Sequence, residues 1–387
     1  MHKVGRTSGR YHSRIEAGTP PTPAQPDQGP DRRNYLLLLE NDLNRVFNQS
    51  LGSVAAAELS GVTNALLAPE HRPTELTVAS LGRASGLSFR CRADRAELEQ
   101  LIGRLSCASL LFEQLPRSTE PDDREEAPIL VPHPLDDQLV YGTQLVSVQR
   151  YRGKTNERLT RAMLNLALAH AELGLRAPWS NTPTVLDPMC GRGTTLNWAL
   201  CYGLHAIGIE ADGAALRHYD GFLRTWAKQH RLPHRHTGFR ANNAEHRHMT
   251  LEVAPTRAEQ KAGAGQRVAT FNADGGDRSL PIKRGSIDVI VCDLPYGVQH
   301  RADPARHDPT GTGELVERLA PTWRRWLRRG GAACLAWNVR RLSRADLSSA
   351  LADGGLVEPV ATTDLIHSME HVVDSTITRD VIVVMAG

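Results

Sequence analysis

Short apolar runs and helical-period stripes alternate along most of this chain, separated by polar and glycine-rich punctuation. Tyr35-Leu36-Leu37-Leu38-Leu39 has the length of a buried strand, and residues 47–59 carry a helical pattern. Residues 76–81 and 87–91 predict two strands that meet near residues 82–86. Asp94 suits the N-cap of a helix with Leu98, Leu101, Ile102 and Leu105 on one face. From about residue 149 the alternation changes character. Val185-Leu186-Asp187, residues 205–209, Phe271-Asn272-Ala273-Asp274 and residues 287–292 predict successive strands ending in acids. Helices intervene, such as 194–204 and the one carrying Leu315, Val316, Leu319, Trp323, Trp326 and Leu327. Residues 332–337 predict a further buried strand, and Val360 with 376–385 a closing antiparallel pair.

The first region, 34–115, has the order β-α-β-β-α and is similar to part of a ferredoxin-like fold. The second, 149–387, reads as a doubly wound, mostly parallel sheet. Residues 1–33, rich in Arg, Pro, Gly and Ser, read as a disordered basic tail. Residues 116–148, whose first part is rich in Pro, Asp and Glu, read as a linker. Between the second and third strands of the large sheet lies an insertion, 228–268. Its first half holds Lys228, His230, Arg231, His234, Arg235, His236, Arg240, His246, Arg247 and His248 against a single acid, Glu245.

Composition narrows the classes. A net charge of +3 over 387 residues is too small to imply nucleic-acid binding by itself, so any such affinity must come from a local patch. The six cysteines are scattered without a CxxC pair, as expected of reduced thiols in a cytoplasm. No apolar run approaches the roughly 18–20 residues of a membrane span, and no membrane partner is expected. His230, His234 and His236 lack an accompanying cysteine, so no metal is expected.

Two strand ends carry chemistry. After Asp187, the turn Cys190-Gly191-Arg192-Gly193 opens into a helix at Thr194. Glycine lets the backbone approach a ligand where a Cβ would collide. Glu210 ends the next strand, close to 20 residues later, where an acid can accept both hydroxyls of an adenosine ribose. The third position of a dinucleotide fingerprint is Leu196, which argues against NAD and suits the phosphate-free S-adenosylmethionine better. Asp274 at the third strand tip is the expected reader of the adenine amino group. At the fourth tip stands Asp293-Leu294-Pro295-Tyr296. There Asp293 and the Leu294 carbonyl would accept the two N–H groups of an exocyclic amine. Pro295 would stiffen the loop and Tyr296 would stack on the base. The loop 298–313, with Arg301 and Arg306, could close over a flipped base.

These motifs resemble those of the tRNA guanine-N2 methyltransferases, the group that commonly carries a THUMP RNA-binding domain. Asp187-Pro188-Met189-Cys190-Gly191-Arg192-Gly193-Thr194 is similar to that family's motif I, and Asp293-Leu294-Pro295-Tyr296-Gly297-Val298 to its motif IV. The resemblance implies a Rossmann-like class I methyltransferase domain, seven-stranded with one antiparallel strand. It makes Lys154 and Thr155, in Tyr151-Arg152-Gly153-Lys154-Thr155, neighbours of the cofactor's methionine end. The interval from Leu115 to Val148 is too short for a full THUMP domain. RNA docking is therefore expected on Lys228, Arg231, Arg235 and Arg240 of the insertion, or through an accessory protein. The expected activity is methylation of guanine N2 in tRNA. Alternatives are a DNA or rRNA amino-methyltransferase acting on adenine N6 or another guanine, a cofactor-binding module without turnover, and a small-molecule enzyme.

Overall fold

The computed structural model describes residues 32–116, 128–151, 153–175, 181–238, 248–295, 311–359 and 369–387. The tail expected over 1–33 therefore lies outside the described residues except for its end, where Arg33 already opens a strand. Residues 32–387 form one compact unit.

The amino-terminal elements are β1 (Arg33–Leu39), α1 (Arg45–Gln49), α2 (Leu51–Leu66), β2 (Thr74–Leu81), β3 (Ala84–Cys91), α3 (Arg95–Ile102), β4 (Ala108–Leu115) and β5 (Ile129–His133). They build a five-stranded antiparallel sheet in the order β2-β3-β1-β4-β5. Asp94 caps α3 as its sequence position suggests, accepting from the backbone N–H groups of Ala96 and Glu97 at 2.9 and 3.1 Å. The segment expected to be a linker is structured over its described part. It supplies β5, which pairs with β4, and the short helix α4 (Gln144–Ser147). Unpaired backbone groups on β4 explain the difference, since an open edge is satisfied by whichever extended segment follows it.

The second part continues with α5 (Glu157–His170), β6 (Thr184–Asp187), α6 (Thr194–Cys201), β7 (His205–Ile209), α7 (Gly213–Gln229), β8 (His234–Thr237), β9 (His248–Val253), α8 (Arg257–Ala262), β10 (Gln266–Phe271) and β11 (Ile287–Asp293). It closes with α9 (Thr312–Trp326), β12 (Leu327–Asn338), α10 (Arg344–Asp353), β13 (Leu356–Val357), β14 (His371–Val372) and β15 (Thr378–Ala386). The sheet runs β13-β15-β12-β11-β6-β7-β10-β9-β8, with β14 paired to β15. Strands β12, β11, β6, β7 and β10 are mutually parallel. The expected seven strands are thus ten among the described residues. Two of the additions, β8 and β9, come from the insertion. They extend the sheet beyond β10: β9 pairs antiparallel with β10, covering what would otherwise be its free edge, and β8 pairs antiparallel with β9.

Alternation along the central strands sorts the core into two faces. Val289, Val291, Ala332, Cys334, Ala336, Val381 and Val383 pack in one cluster with α5, α6 and α7. Ile290, Cys292, Ala333, Leu335, Trp337, Ile382 and Val384 pack in the other with α9 and α10. All six cysteines are buried free thiols. Among the described residues no helix is long and apolar enough to cross a membrane.

The amino-terminal sheet is held to the larger one through α2 and α5, which approach closely at Gly61: a Cβ there would stand 2.5 Å from Leu166. Beside this contact Glu58 is fully buried. Its carboxylate accepts from the Ser106 N–H at 3.0 Å, the Ser106 hydroxyl at 2.5 Å and the Asn165 amide at 2.7 Å. The Asn165 carbonyl in turn accepts from the Tyr202 hydroxyl at 2.6 Å, and Tyr202 oxygen accepts from Arg161 at 3.1 Å. Burial pushes the Glu58 carboxyl up, while these donors and Arg161 oppose the shift. Removing the carboxylate strands several buried donors at once, so Glu58→Ala should lower unfolding free energy by about 3 kcal/mol or more. Chemical denaturation of the full chain tests this; a loss under about 1 kcal/mol would show that the seam contributes little.

Candidate active site

Because β11, β6 and β7 are adjacent and parallel, their carboxyl-terminal tips bring Asp293, Asp187 and Glu210 to one edge of the sheet. Asp187 is buried, and its carboxylate accepts from the Met189 N–H at 3.0 Å. Burial pushes the Asp187 carboxyl up to about 7, with the charges of Glu210 and Asp293 acting in the same direction.

The turn after β6 is built on backbone bonds. Cys190 N–H donates to the Ile209 carbonyl at 2.9 Å, and Gly193 N–H to the Cys190 carbonyl at 2.7 Å. Glu210 accepts from the Gly191 N–H at 2.9 Å and the Asp212 N–H at 2.8 Å, tying this turn to the tip of β7. Both glycines are left-handed, with φ of +51° at Gly191 and +81° at Gly193. Their surroundings differ. A Cβ at 191 would meet open space, whereas one at 193 would stand 2.3 Å from the buried Tyr219 ring. Gly191 therefore keeps the backbone open toward a ligand, and Gly193 makes room for α7. Thr194 starts α6 buried, 3.3 Å from the Tyr151 hydroxyl. The Cys190 thiol is buried and pushed well above its ordinary range by that burial, so it lines the turn as an uncharged group.

At β11 the Asp293 carboxylate receives two partners on one oxygen. Thr155 Oγ1 donates to Oδ2 at 2.5 Å, and the Arg379 guanidinium on β15 lies 3.2 Å from the same atom. Leu294 is fully buried and donates its N–H to the Ala336 carbonyl at 2.8 Å, while Pro295 is exposed. Tyr296 lies outside the described residues.

Three residues expected near the cofactor have partners within the chain. Thr155, a cofactor neighbour by the family resemblance, donates to Asp293. The Lys154 ammonium donates to the Val146 and Gln149 carbonyls at 2.7 and 2.8 Å and to the Glu157 carboxylate, which uses all three of its N–H groups on the chain. It fastens the segment before α5. Asp274 is clamped through both oxygens by Arg318 of α9 at 2.8 and 3.1 Å, and that bond holds its carboxyl below the usual range. Its geometry is that of a tie between the loop after β10 and α9.

Of the expected nucleic-acid contacts, Lys228 and Arg231 are exposed at the end of α7. Arg235 is exposed on β8, 3.9 Å from Glu252. Arg240, Arg301 and Arg306 lie outside the described residues. The three histidines have local partners: His230 and His234 lie against the Trp226 and Leu232 carbonyls at 2.9 and 2.8 Å, and His236 against Asp220 at 2.6 Å. Between α4 and α7 runs a groove of about 540 Å³, lined among others by Val148, Arg217, His218, Phe222, Trp226 and His230.

Sequence reading missed Arg379 and the approach of the amino-terminal part. Asp42 accepts from the Asn156 amide at 3.2 Å and pairs with Arg158 at 3.4 Å, immediately after Thr155. Phe47 packs edge-on against His371, with ring centroids 5.5 Å apart. The one available signal was the pair Arg379-Asp380, two charges in the otherwise apolar strand β15.

The donor set fits S-adenosylmethionine. Three clustered carboxylates suit a ligand carrying sulfonium and ammonium charges, Glu210 suits its ribose diol, and Gly191 leaves space beside that acid. Residues 150–350 match the family described as RMKL-like, methyltransferase domain. No curated protein matches the chain. Among solved structures, geranyl diphosphate C-methyltransferase from Streptomyces coelicolor A3(2), in complex with Mg2+, geranyl diphosphate and S-adenosyl-L-homocysteine, is similar at 14% identity. That match covers 61% of this chain and 84% of the other, with a TM-score of 0.32. A TehB-like SAM-dependent methyltransferase from Corynebacterium glutamicum is similar at 14% identity, over 54% and 82% of the two chains, with a TM-score of 0.29.

Two predictions follow from this geometry. Gly193→Ala should cost about 2 kcal/mol or more, through strain and the Tyr219 clash, and Gly191→Ala clearly less; equal losses in chemical denaturation would contradict the distinction. Near pH 7 and below, Asp187 holds a proton in the free protein, and a cationic ligand favours the carboxylate. Binding of S-adenosylmethionine should then release a proton and tighten as pH rises from about 6 to about 8. Calorimetry in buffers of different ionisation enthalpy reads this directly, and affinity flat across that range would remove Asp187 from the linkage.

Proposed function

The chain belongs to the RMKL-like methyltransferase domain family and is an S-adenosylmethionine-dependent methyltransferase; from that premise we propose that it methylates an exocyclic amino nitrogen of RNA, with guanine N2 in tRNA as the target. The observation that carries this reading is Asp293, an anchored carboxylate at the tip of β11, beside the two acids of the cofactor site and followed by Leu294 and Pro295. Bound there, the cofactor supplies an electrophilic methyl group.

The chain's own part is positioning. An amine on a guanine ring is a poor nucleophile because its lone pair is delocalised into the ring. Asp293 and the Leu294 carbonyl accept its two N–H groups, which favours a pyramidal nitrogen whose localised lone pair points toward the methyl. Asp293 cannot rotate freely while Thr155 and Arg379 hold Oδ2. Pro295 lacks an N–H and limits the loop's conformations.

A polyanionic acceptor is favoured by α7. Its exposed Arg217, His218, Arg224 and Lys228, with His230 and Arg231 just beyond its end, line one side of the protein. Asp220, the acid within that helix, is engaged by His236. The groove along α4 and α7 adds Phe222 and Trp226 to these cations. The strand order β2-β3-β1-β4 supports reading the amino-terminal part as a ferredoxin-like unit that helps to place the RNA.

Nucleoside mass spectrometry on tRNA, rRNA and DNA, from cells with and without the gene, tests the proposal. Loss of N2-methylguanosine from tRNA, restored by wild type and not by Asp293→Ala, is the expected result. The same substitution should cut transfer by about 10²-fold or more while leaving cofactor affinity nearly unchanged. Loss of N6-methyladenine instead would keep the mechanism and change the acceptor. An unchanged nucleoside profile would overturn the nucleic-acid reading.

A further inference from the structure

Arg379 is a side chain that the expected chemistry has no place for. It is charged, its side chain is 6% exposed, and it sits in the closing strand of an apolar sheet. The register explains where it reaches. Asp293 pairs with Ala336 on β12, and Ala336 pairs with Val381 on β15. Arg379 lies two residues before Val381, so it projects from the same face of the sheet as Asp293. Two strand spacings, about 9–10 Å, separate β11 from β15. The intervening residue on that face, Ala336, is small enough for the long side chain to cross above it.

We propose that Arg379 is a positioning residue for methyl transfer, fixing the Asp293 carboxylate in the orientation that receives the substrate amine; this rests on the reading of Asp293 given above. Two observations carry it. Thr155 and Arg379 converge on the same oxygen, Oδ2, from α5's leading segment and from β15, so the carboxylate is held from two sides. Three other titratable groups near Asp293 among the described residues offer it no positive charge. Asp187 on β6 and Glu210 after β7 are acids, and His371 on β14 is kept neutral by burial, its Nδ1 2.9 Å from the Met369 carbonyl. Arg379 is a permanent cation beside Asp293, and its planar guanidinium sets direction as well as charge. No proton needs to pass to Arg379. It acts through Asp293 alone.

The test uses the full chain and tritiated S-adenosylmethionine, with total tRNA, total rRNA and genomic DNA from cells lacking the gene as acceptors. Arg379→Met keeps the apolar stem and removes the charge. It should lower kcat by about 10- to 100-fold while KM for the acceptor and cofactor affinity by calorimetry stay within about twofold. Arg379→Lys should recover part of the rate. In an Asp293→Asn background, Arg379→Met should have almost no further effect, since the residue acts through that carboxylate. A thermal unfolding midpoint for each variant, with the same double-mutant cycle read on it, separates the pair's contribution to folding from its contribution to rate. Near wild-type rate in Arg379→Met, or an equal loss in both backgrounds, would overturn the proposal. So would the absence of coupling between the two residues in the unfolding cycle. Full activity of Asp293→Ala is a different outcome and would sink the reading of Asp293 itself.

Discussion

Three carboxylates at the tips of three adjacent strands set the problem that the rest of this structure answers. Neighbouring parallel strands lie about 4.8 Å apart, so Asp293, Asp187 and Glu210 repel one another at close range. The fold meets that repulsion with short, directed contacts. Backbone N–H groups of Met189, Gly191 and Asp212 bond Asp187 and Glu210, the Thr155 hydroxyl bonds Asp293, and Arg379 supplies a buried positive charge. Negative character nonetheless remains; the Asp187 carboxyl, raised chiefly by its burial, is pushed further the same way by the charges of Glu210 and Asp293. A cluster of this kind is complementary to a cationic ligand, and S-adenosylmethionine brings that charge together with the group to be transferred.

Several architectural details serve this cluster. The antiparallel β15 lies next to β12, and its register with β12 places Arg379 on the face where Asp293 stands. The turn after β6 needs a residue without a Cβ at 193, because the backbone there is left-handed and α7 presses Tyr219 against it. That same packing aligns the start of α7 with Glu210, whose carboxylate accepts from Asp212, the α7 N-cap. Cofactor turn, helix and acid are therefore one mechanical piece.

The amino-terminal sheet belongs to this assembly as well. The buried seam of Glu58, Ser106, Asn165 and Tyr202 fastens α2 to α5, and α5 begins next to the residue that holds Asp293. Asp42 and Phe47 then reach Asn156 and His371, each close to a partner of the reacting site. The amino-terminal unit thereby reaches the surroundings of the β11 tip.

Much of the site was legible in the chain because its signals are local. An apolar run ending in an acid marks a strand tip, a glycine pair marks a turn that other residues cannot adopt, and an Asp before a helical stripe marks a cap; each rests on neighbours within a few residues. The acids 187, 210 and 293 were found in this way, as was the cap at Asp94. The partners of those acids were decided only by the tertiary structure. Thr155 and Asp293 are 138 residues apart, and Arg379 reaches Asp293 only because β15 folds back beside β12. Lys154 by family resemblance and Asp274 by its place at a strand tip were expected beside the cofactor, and only the fold shows that Glu157 and Arg318 are their partners within the chain. The insertion was legible as a basic stretch between two strands, and only the fold shows that the open edge of β10 draws part of it into the sheet. Local pattern determines what each segment can be, whereas a charge takes whichever opposite charge the fold brings within reach, and that depends on contacts no stretch of sequence contains.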